Sequence, residues 1–264
     1  IFFTLLLISI AFTVTNISAQ WQPEVRMTND PTTSYTSFGN GRCIATSGNY
    51  VHIVWYDGVT VGEGNWEVFY KRSTDRGLTW GPAVNLTNDE FIAYNPVISV
   101  SGATVHVSWY DNSNGPGNYE IFYKRSLNNG DTWDATVQLS NTSGRAGHSS
   151  IFSSGSNVHV AWWDTRDGNF EIYYKRSNDN GNTWTPDIRL SNTSGPSCNP
   201  AIAVSGTNVH VVWFDSTAGN WEIYYKRSVD GGVNWGADTR LTNNTATSWF
   251  PTLAVTGSIV HIVW

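Results

Sequence analysis

STDRGLTW at residues 73–80 returns as SLNNGDTW at 126–133, SNDNGNTW at 177–184 and SVDGGVNW at 228–235. The copies start 53, 51 and 51 residues apart, so the chain is an array of one repeated unit. Each copy separates an aromatic, β-branched run from a short alternating one, which reads as a tight turn between two strands. The residue types suit that turn. Ser73, Ser126, Ser177 and Ser228 open it, and Asp75, Asn128, Asp179 and Asp230 can accept bonds from backbone N–H groups just ahead. Gly77, Gly130, Gly181 and Gly232 can take the positive φ it needs, and Trp80, Trp133, Trp184 and Trp235 bring a large ring beneath it.

Working outward, one repeat carries four strand signals: 200–205, 208–215 (NVHVVWFD), 221–228 (WEIYYKRS) and 235–242 (WGADTRLT). Four antiparallel strands every 51 residues predict an all-β fold, a β-propeller of four-stranded blades. The segment 21–29 (WQPEVRMTN) matches 235–243 (WGADTRLTN), so it reads as a fourth strand without a blade of its own. The last residues, 260–264, match the start of a second strand. The expected organisation over 21–264 is therefore an N-terminal outer strand, four complete blades and the start of a fifth, in a chain truncated at its C-terminus.

A 264-residue chain that is 40% hydrophobic can bury one large core, and 14 Trp, 12 Tyr and 11 Phe suit a β-fold that buries rings. A net charge of −6 argues against a nucleic-acid partner. Residues 1–19 are apolar and end in Ser18-Ala19, which reads as a signal peptide for a secreted, periplasmic or cell-surface protein with no membrane span after cleavage. Two cysteines, Cys43 and Cys198, do not make a disulfide framework, and spacing leaves their pairing open.

Internal comparison separates scaffold from candidates. His52, His106, His159, His210 and His261 occupy one strand position, as do Glu67, Glu120, Glu171 and Glu222, so both sets read as structural and no metal or cofactor is implied. Only His148 stands outside its series, in a loop. The Lys-Arg pairs, once per repeat, are scaffold too. The repeats diverge on the face opposite the turns. Just before each innermost strand, alignment on Pro96, Pro200 and Pro251 places Asn40, Tyr94, Gly147, Cys198 and Trp249. Second strands end there in Tyr56-Asp57, Tyr110-Asp111, Trp163-Asp164 and Phe214-Asp215. Rings beside carboxylates suit sugars, because C–H faces stack while hydroxyls donate. The plainer reading makes the carboxylates loop caps and the rings filler between blades.

The S-x-D-x-G-x-T-W turn resembles the Asp-box of sialidases (neuraminidases), and the resemblance covers nearly all of 21–264. It implies a six-bladed propeller with the active site on the face away from the Asp-boxes. It also implies three arginines on a substrate carboxylate, a Tyr–Glu nucleophile and an Asp acid/base. Arg42, Arg145 and Arg166 are the arginines outside the repeated strands on that face; Asp57, then Glu63, would be the acid/base. The family's Arg-Ile-Pro motif is absent, since the chain reads Arg42-Cys43-Ile44-Ala45, and no Tyr–Glu pair can be assigned. The sequence thus points to a non-catalytic module that binds a glycan or an extracellular protein. A divergent exo-sialidase and a structural repeat of a larger surface protein are the alternatives.

Overall fold

The computed structural model describes residues 23–29, 31–37, 41–58 and 65–264, so the expected signal segment, Asn40 and Glu63 lie outside the described residues. The chain divides into two units, 1–30 and 31–264. In the first, residues 23–29 form no strand, which corrects the fourth strand expected over 21–29. What they keep is one local bond of the repeats: Arg26 Nε donates to the Thr28 carbonyl at 2.7 Å, as Arg189 does to Ser191 at 2.8 Å and Arg240 to Thr242 at 2.7 Å. Such a bond fixes two residues, whereas a strand needs a ladder.

The second unit is built of strands, with no helix among the described residues. Blade two runs Ala93–Ser101, Thr104–Asp111, Glu120–Ser126 and Val137–Gln138, each strand antiparallel to the one before. Blade three repeats this with Ala146–Ser154, Asn157–Asp164, Glu171–Ser177 and Ile188–Arg189, and blade four with Ser197–Ser205, Asn208–Asp215, Glu222–Ser228 and Thr239–Arg240. Blade one is Tyr50–Gly58, Trp66–Ser73 and Val84–Asn85 behind an inner strand in two pieces, Ser34–Tyr35 and Ile44–Ser47. Thr252–Thr256 and Ile259–Val263 form a further pair. Consecutive inner strands are neighbours, tied by bonds such as Ser99 Oγ to Ser153 Oγ at 2.8 Å, so the blades are radial and form a propeller. The fourth strands pair over two residues rather than the eight expected. As outer edges they leave the ladder early, held by one bond before it, such as Thr185 N to Arg176 O at 2.9 Å, and one after, such as Leu190 N to Ile172 O at 2.7 Å.

Two-residue alternation puts Trp109, Trp162 and Trp213 on one face of each second strand, at most 1% exposed, where they stack on their cross-strand partners Phe122, Tyr173 and Tyr224. The repeated histidines fall on the other face, and in blades one to four each Nδ1 bonds a third-strand tyrosine, such as His52 to Tyr70 and His106 to Tyr123, both at 2.7 Å. Those tyrosines carry the next blade. Trp133 packs edge-on against Tyr70 at 4.8 Å and Trp184 against Tyr123 at 5.0 Å. The Lys-Arg pairs face both ways. Lys124 Nζ donates back to the Leu86 carbonyl at 2.8 Å, and Arg125 donates forward to the Asn180 carbonyl at 2.8 Å. Each repeated glutamate staples the loop that leaves its blade. Glu171, for example, accepts from Ser191 Oγ, from Thr193 N at 3.0 Å and from Arg189 at 2.8 Å. The turns are built as expected: Ser177 Oγ donates to Asp179 at 2.7 Å, Asp179 accepts from Thr183 N at 2.8 Å, and Gly181 has φ 81°.

Candidate functional site

The open face is set by a bulge in the inner strands of blades two, three and four. Register slips between Tyr94 and Val97, Gly147 and Ser150, and Cys198 and Ala201. Within or at the matching step, Asn95, His148, Asn199 and Phe250 all take left-handed backbone, with φ of 49°, 47°, 48° and 53°. Asn tolerates this conformation; His and Phe hold it at a cost of order 1 kcal/mol. Blade one differs. Tyr35 pairs Tyr56 as Tyr94 pairs Tyr110, so Tyr35, not Asn40, holds its mouth position. Alignment on the prolines missed this because blade one inserts residues between the two pieces of its inner strand.

Three positions gather in each blade, one on the inner strand, one ending the second strand and one opening the third. All three are aromatic in blades one and two, while Gly147 and Cys198 hold the inner position in blades three and four. In blade one Tyr35 stacks on Tyr56 at 5.4 Å and lies 5.6 Å from Trp66. Tyr56 meets Tyr94 of blade two edge-on at 5.4 Å, and Tyr94 contacts Tyr110 at 5.7 Å and Tyr119 at 6.3 Å. Tyr110 stacks on His148 at 5.6 Å, His148 lies 6.0 Å from Trp163, and Trp163 packs on Phe170 at 4.8 Å. The rings thus run unbroken from blade one to blade three. A second group, Phe214, Trp221, Trp249 and Phe250, covers blade four and the strands after it. Cys198 stands at the mouth position between the groups, with its thiol pushed up to about 12 by burial and by Asp215. Both cysteines are free.

Gly147 makes the blade-three step. A β-carbon there would stand 2.5 Å from the Trp163 ring, so only glycine lets that ring close against the inner strand. His148 is half-buried, its Nδ1 has no hydrogen-bond partner, and burial lowers its pKa to about 4. Burial likewise raises the tyrosines, Tyr56 to about 12, with Tyr35 and Tyr94 adding to it. The rim is therefore uncharged at neutral pH.

The carboxylates take another place. Asp57, Asp111, Asp164 and Asp215 are at most 3% exposed. Asp57 accepts from Thr32 Oγ1 and Ser34 Oγ at 2.8 Å and from Trp55 Nε1 at 3.2 Å. Asp215 accepts from Ser197 Oγ at 2.6 Å, Thr217 N at 2.7 Å and Thr193 Oγ1 at 2.9 Å; Asp111 accepts from Ser113 N at 2.6 Å. These carboxylates cap their own loops, the plainer of the two readings the sequence offered. Among the arginines, Arg166 is committed, donating to Asp164 at 2.6 Å and Asp187 at 2.8 Å and lying 4.3 Å over Tyr173. It is not free to grip a ligand, as the sialidase reading required. Arg145 is exposed, and its backbone bonds Thr165, beside the Arg166 loop. Arg42 lies apart, over Phe152 at 5.5 Å in the central cleft. Among the described residues no cluster of His, Cys, Asp or Glu has a grouping that would hold a metal ion.

Tyr56, Tyr94, Tyr110, Trp163 and Trp249 were expected on this face, and it holds them. Sequence reasoning missed Tyr35, and it passed over Trp66, Tyr119, Phe170 and Trp221. The signal for those four was present, since an aromatic precedes the repeated glutamate in every blade.

The model of the BNR repeat-like domain matches residues 7–210. A xyloglucanase of Acetivibrio thermocellus is 28% identical over 204 residues, which are 69% of this chain and only 23% of that protein. A Dyadobacter fermentans protein of unknown function superposes with a TM-score of 0.62 at 12% identity, covering 84% of this chain and 74% of that one. The Trypanosoma rangeli sialidase gives 0.58 at 16% identity over 83% and 42% of the two chains. An α-L-arabinanase of Penicillium chrysogenum, complexed with arabinobiose, gives 0.57 at 15% over 85% and 76%. At these identities the structural likeness is one of fold.

Proposed function

The chain belongs to the BNR repeat-like domain family, and from that premise we propose that it is a non-catalytic glycan-binding propeller that works outside the cytoplasm. The observation that carries this reading is the unbroken aromatic rim from Tyr35 to Phe170 on the face away from the Asp-boxes. Indole and phenol faces take up the C–H face of a sugar, while their N–H and O–H groups meet its hydroxyls. Of the proteins it resembles, three carry names of glycan-acting enzymes: a xyloglucanase in sequence, and a sialidase and an arabinanase in fold. The non-catalytic part of the reading rests on the carboxylates at the ends of the second strands. Glycoside hydrolysis needs a carboxyl group that reaches the scissile bond, and Asp57, Asp111, Asp164 and Asp215 are spent on their own loops.

The test is affinity electrophoresis of the purified chain through gels containing xyloglucan, arabinan or a sialylated glycoprotein, with fluorogenic glycoside turnover measured alongside. Retardation by at least one glycan, reduced in Trp163→Ala and without turnover, is the expected result. Free migration in all three gels would remove the glycan reading, and turnover would remove the non-catalytic one.

A further inference from the structure

The rim has a length and a direction, and these say more than that a sugar binds. Neighbouring rings are 4.8 to 6.3 Å apart from Tyr35 through Trp66, Tyr94 and Tyr110 to Trp163 and Phe170. A terminal sugar covers one or two such platforms. A run over three blades matches a ligand that itself presents one ring after another. Resting on the glycan reading above, we propose that this face binds the backbone of an extended, uncharged, gluco-configured polysaccharide lengthwise across blades one to three, with His148 as the ring that joins the halves of the platform.

The ligand class follows from chemistry. A pyranose with all its ring hydroxyls equatorial exposes axial C–H groups on both faces, which is the surface a row of aromatic rings takes up. The rings carry no charge of their own, Asp57, Asp111, Asp164 and Asp215 beneath them are buried, and Arg166 is held by Asp164 and Asp187. In the first-face loops beside them Arg145 is exposed, and so are the acidic residues Asp89, Glu90 and Asp167, so an acidic glycan is the outcome to test against.

The joining role of His148 follows from position. Blade two ends its part of the rim at Tyr110, blade three begins its part at Trp163, and the imidazole lies 5.6 Å from one and 6.0 Å from the other. The matching residues elsewhere are Asn95, Asn199 and Phe250, all with the same left-handed backbone. His148→Asn therefore puts at this site a residue the fold already accepts twice, and it removes the ring. His148→Phe puts there a residue accepted once, and it keeps a ring.

Titration calorimetry of the chain with cellobiose, cellotetraose and cellohexaose tests this. Affinity should rise with length in the wild type. His148→Asn should weaken cellohexaose about tenfold, the loss of one well-placed aromatic contact, and leave cellobiose unchanged, while His148→Phe restores the wild-type series. Tyr94→Ala and Trp163→Ala should each weaken cellohexaose, and Trp249→Ala should not. Equal affinity for all three lengths, indifference to His148→Asn, or preference for a uronic-acid or sialylated oligomer would overturn the proposal while leaving glycan binding standing. Absence of binding to any glycan would overturn both.

Discussion

The hydroxyl of Tyr123 lies 2.0 Å from the point where a β-carbon on Gly181 would stand. Gly181 belongs to the Asp-box turn of blade three and Tyr123 to the third strand of blade two, so the turn of one blade is seated on the core tyrosine of the blade before. Tyr70 with Gly130 and Tyr174 with Gly232 repeat the relationship at the same distance of 2.0 Å. The glycine thus answers to two demands, positive φ and absence of a side chain. Gly181→Ala should cost about 2–4 kcal/mol in denaturant unfolding, because it adds a clash to backbone strain. Gly155→Ala is the control, since Gly155 also has positive φ but nothing within 4 Å, and about 1 kcal/mol is expected there. Equal losses would show that only the backbone matters.

Arg166 is a structural cation in this reading. Its removal leaves the fully buried Asp164 without its ion-pair partner, although Trp162 Nε1 still donates to that carboxylate at 3.2 Å. Arg166→Ala should lower stability by about 2–4 kcal/mol, and Arg166→Ala with Asp164→Asn should recover part of it. Arg145→Ala, on an exposed residue, should change stability by less than about 0.5 kcal/mol. A stable Arg166→Ala protein would contradict the assignment.

Acid should unfold the protein through its repeated histidines. Burial, with a nearby arginine in each case, lowers His52 to about 4, His106 to about 3 and His159 to about 4, against about 6.5 when unfolded. The unfolded chain then binds more protons between those values. The stabilisation is complete above about pH 6.5 and is lost as pH falls toward 4. Buried Glu67 and Glu120 are shifted upward and act in the opposite sense. The melting temperature should therefore fall between pH 7 and pH 5. A constant or rising value would mean the histidines carry charge in the folded state.

How much of this was legible in the sequence depends on period. The turn at 73–80 and its copies disclosed the blades, and the constant His, Glu and Lys-Arg positions disclosed a scaffold, because every repeat meets the same neighbours. The mouth was harder. Tyr35 escaped because blade one inserts residues where the others have a bulge, so matching on prolines pointed to Asn40. Asp57 and its counterparts read as loop caps or as sugar acceptors, and residue type alone does not choose; in the structure each closes its own loop. His148 looked like a stray loop residue, although register places it where other blades put Asn95 and Asn199. Contacts between blades join residues that no local pattern links.

The central claim is that rings, not charges, carry recognition, and one measurement tests it most directly. The dissociation constant of the wild-type chain for soluble xyloglucan is followed by calorimetry from low to high sodium chloride, with Trp163→Ala as the comparison. Stacking on an uncharged rim is insensitive to screening, so the constant should stay within about twofold while Trp163→Ala weakens it about tenfold or more throughout. A steep loss of affinity with salt, together with little effect of Trp163→Ala, would place recognition on charged groups and contradict the account.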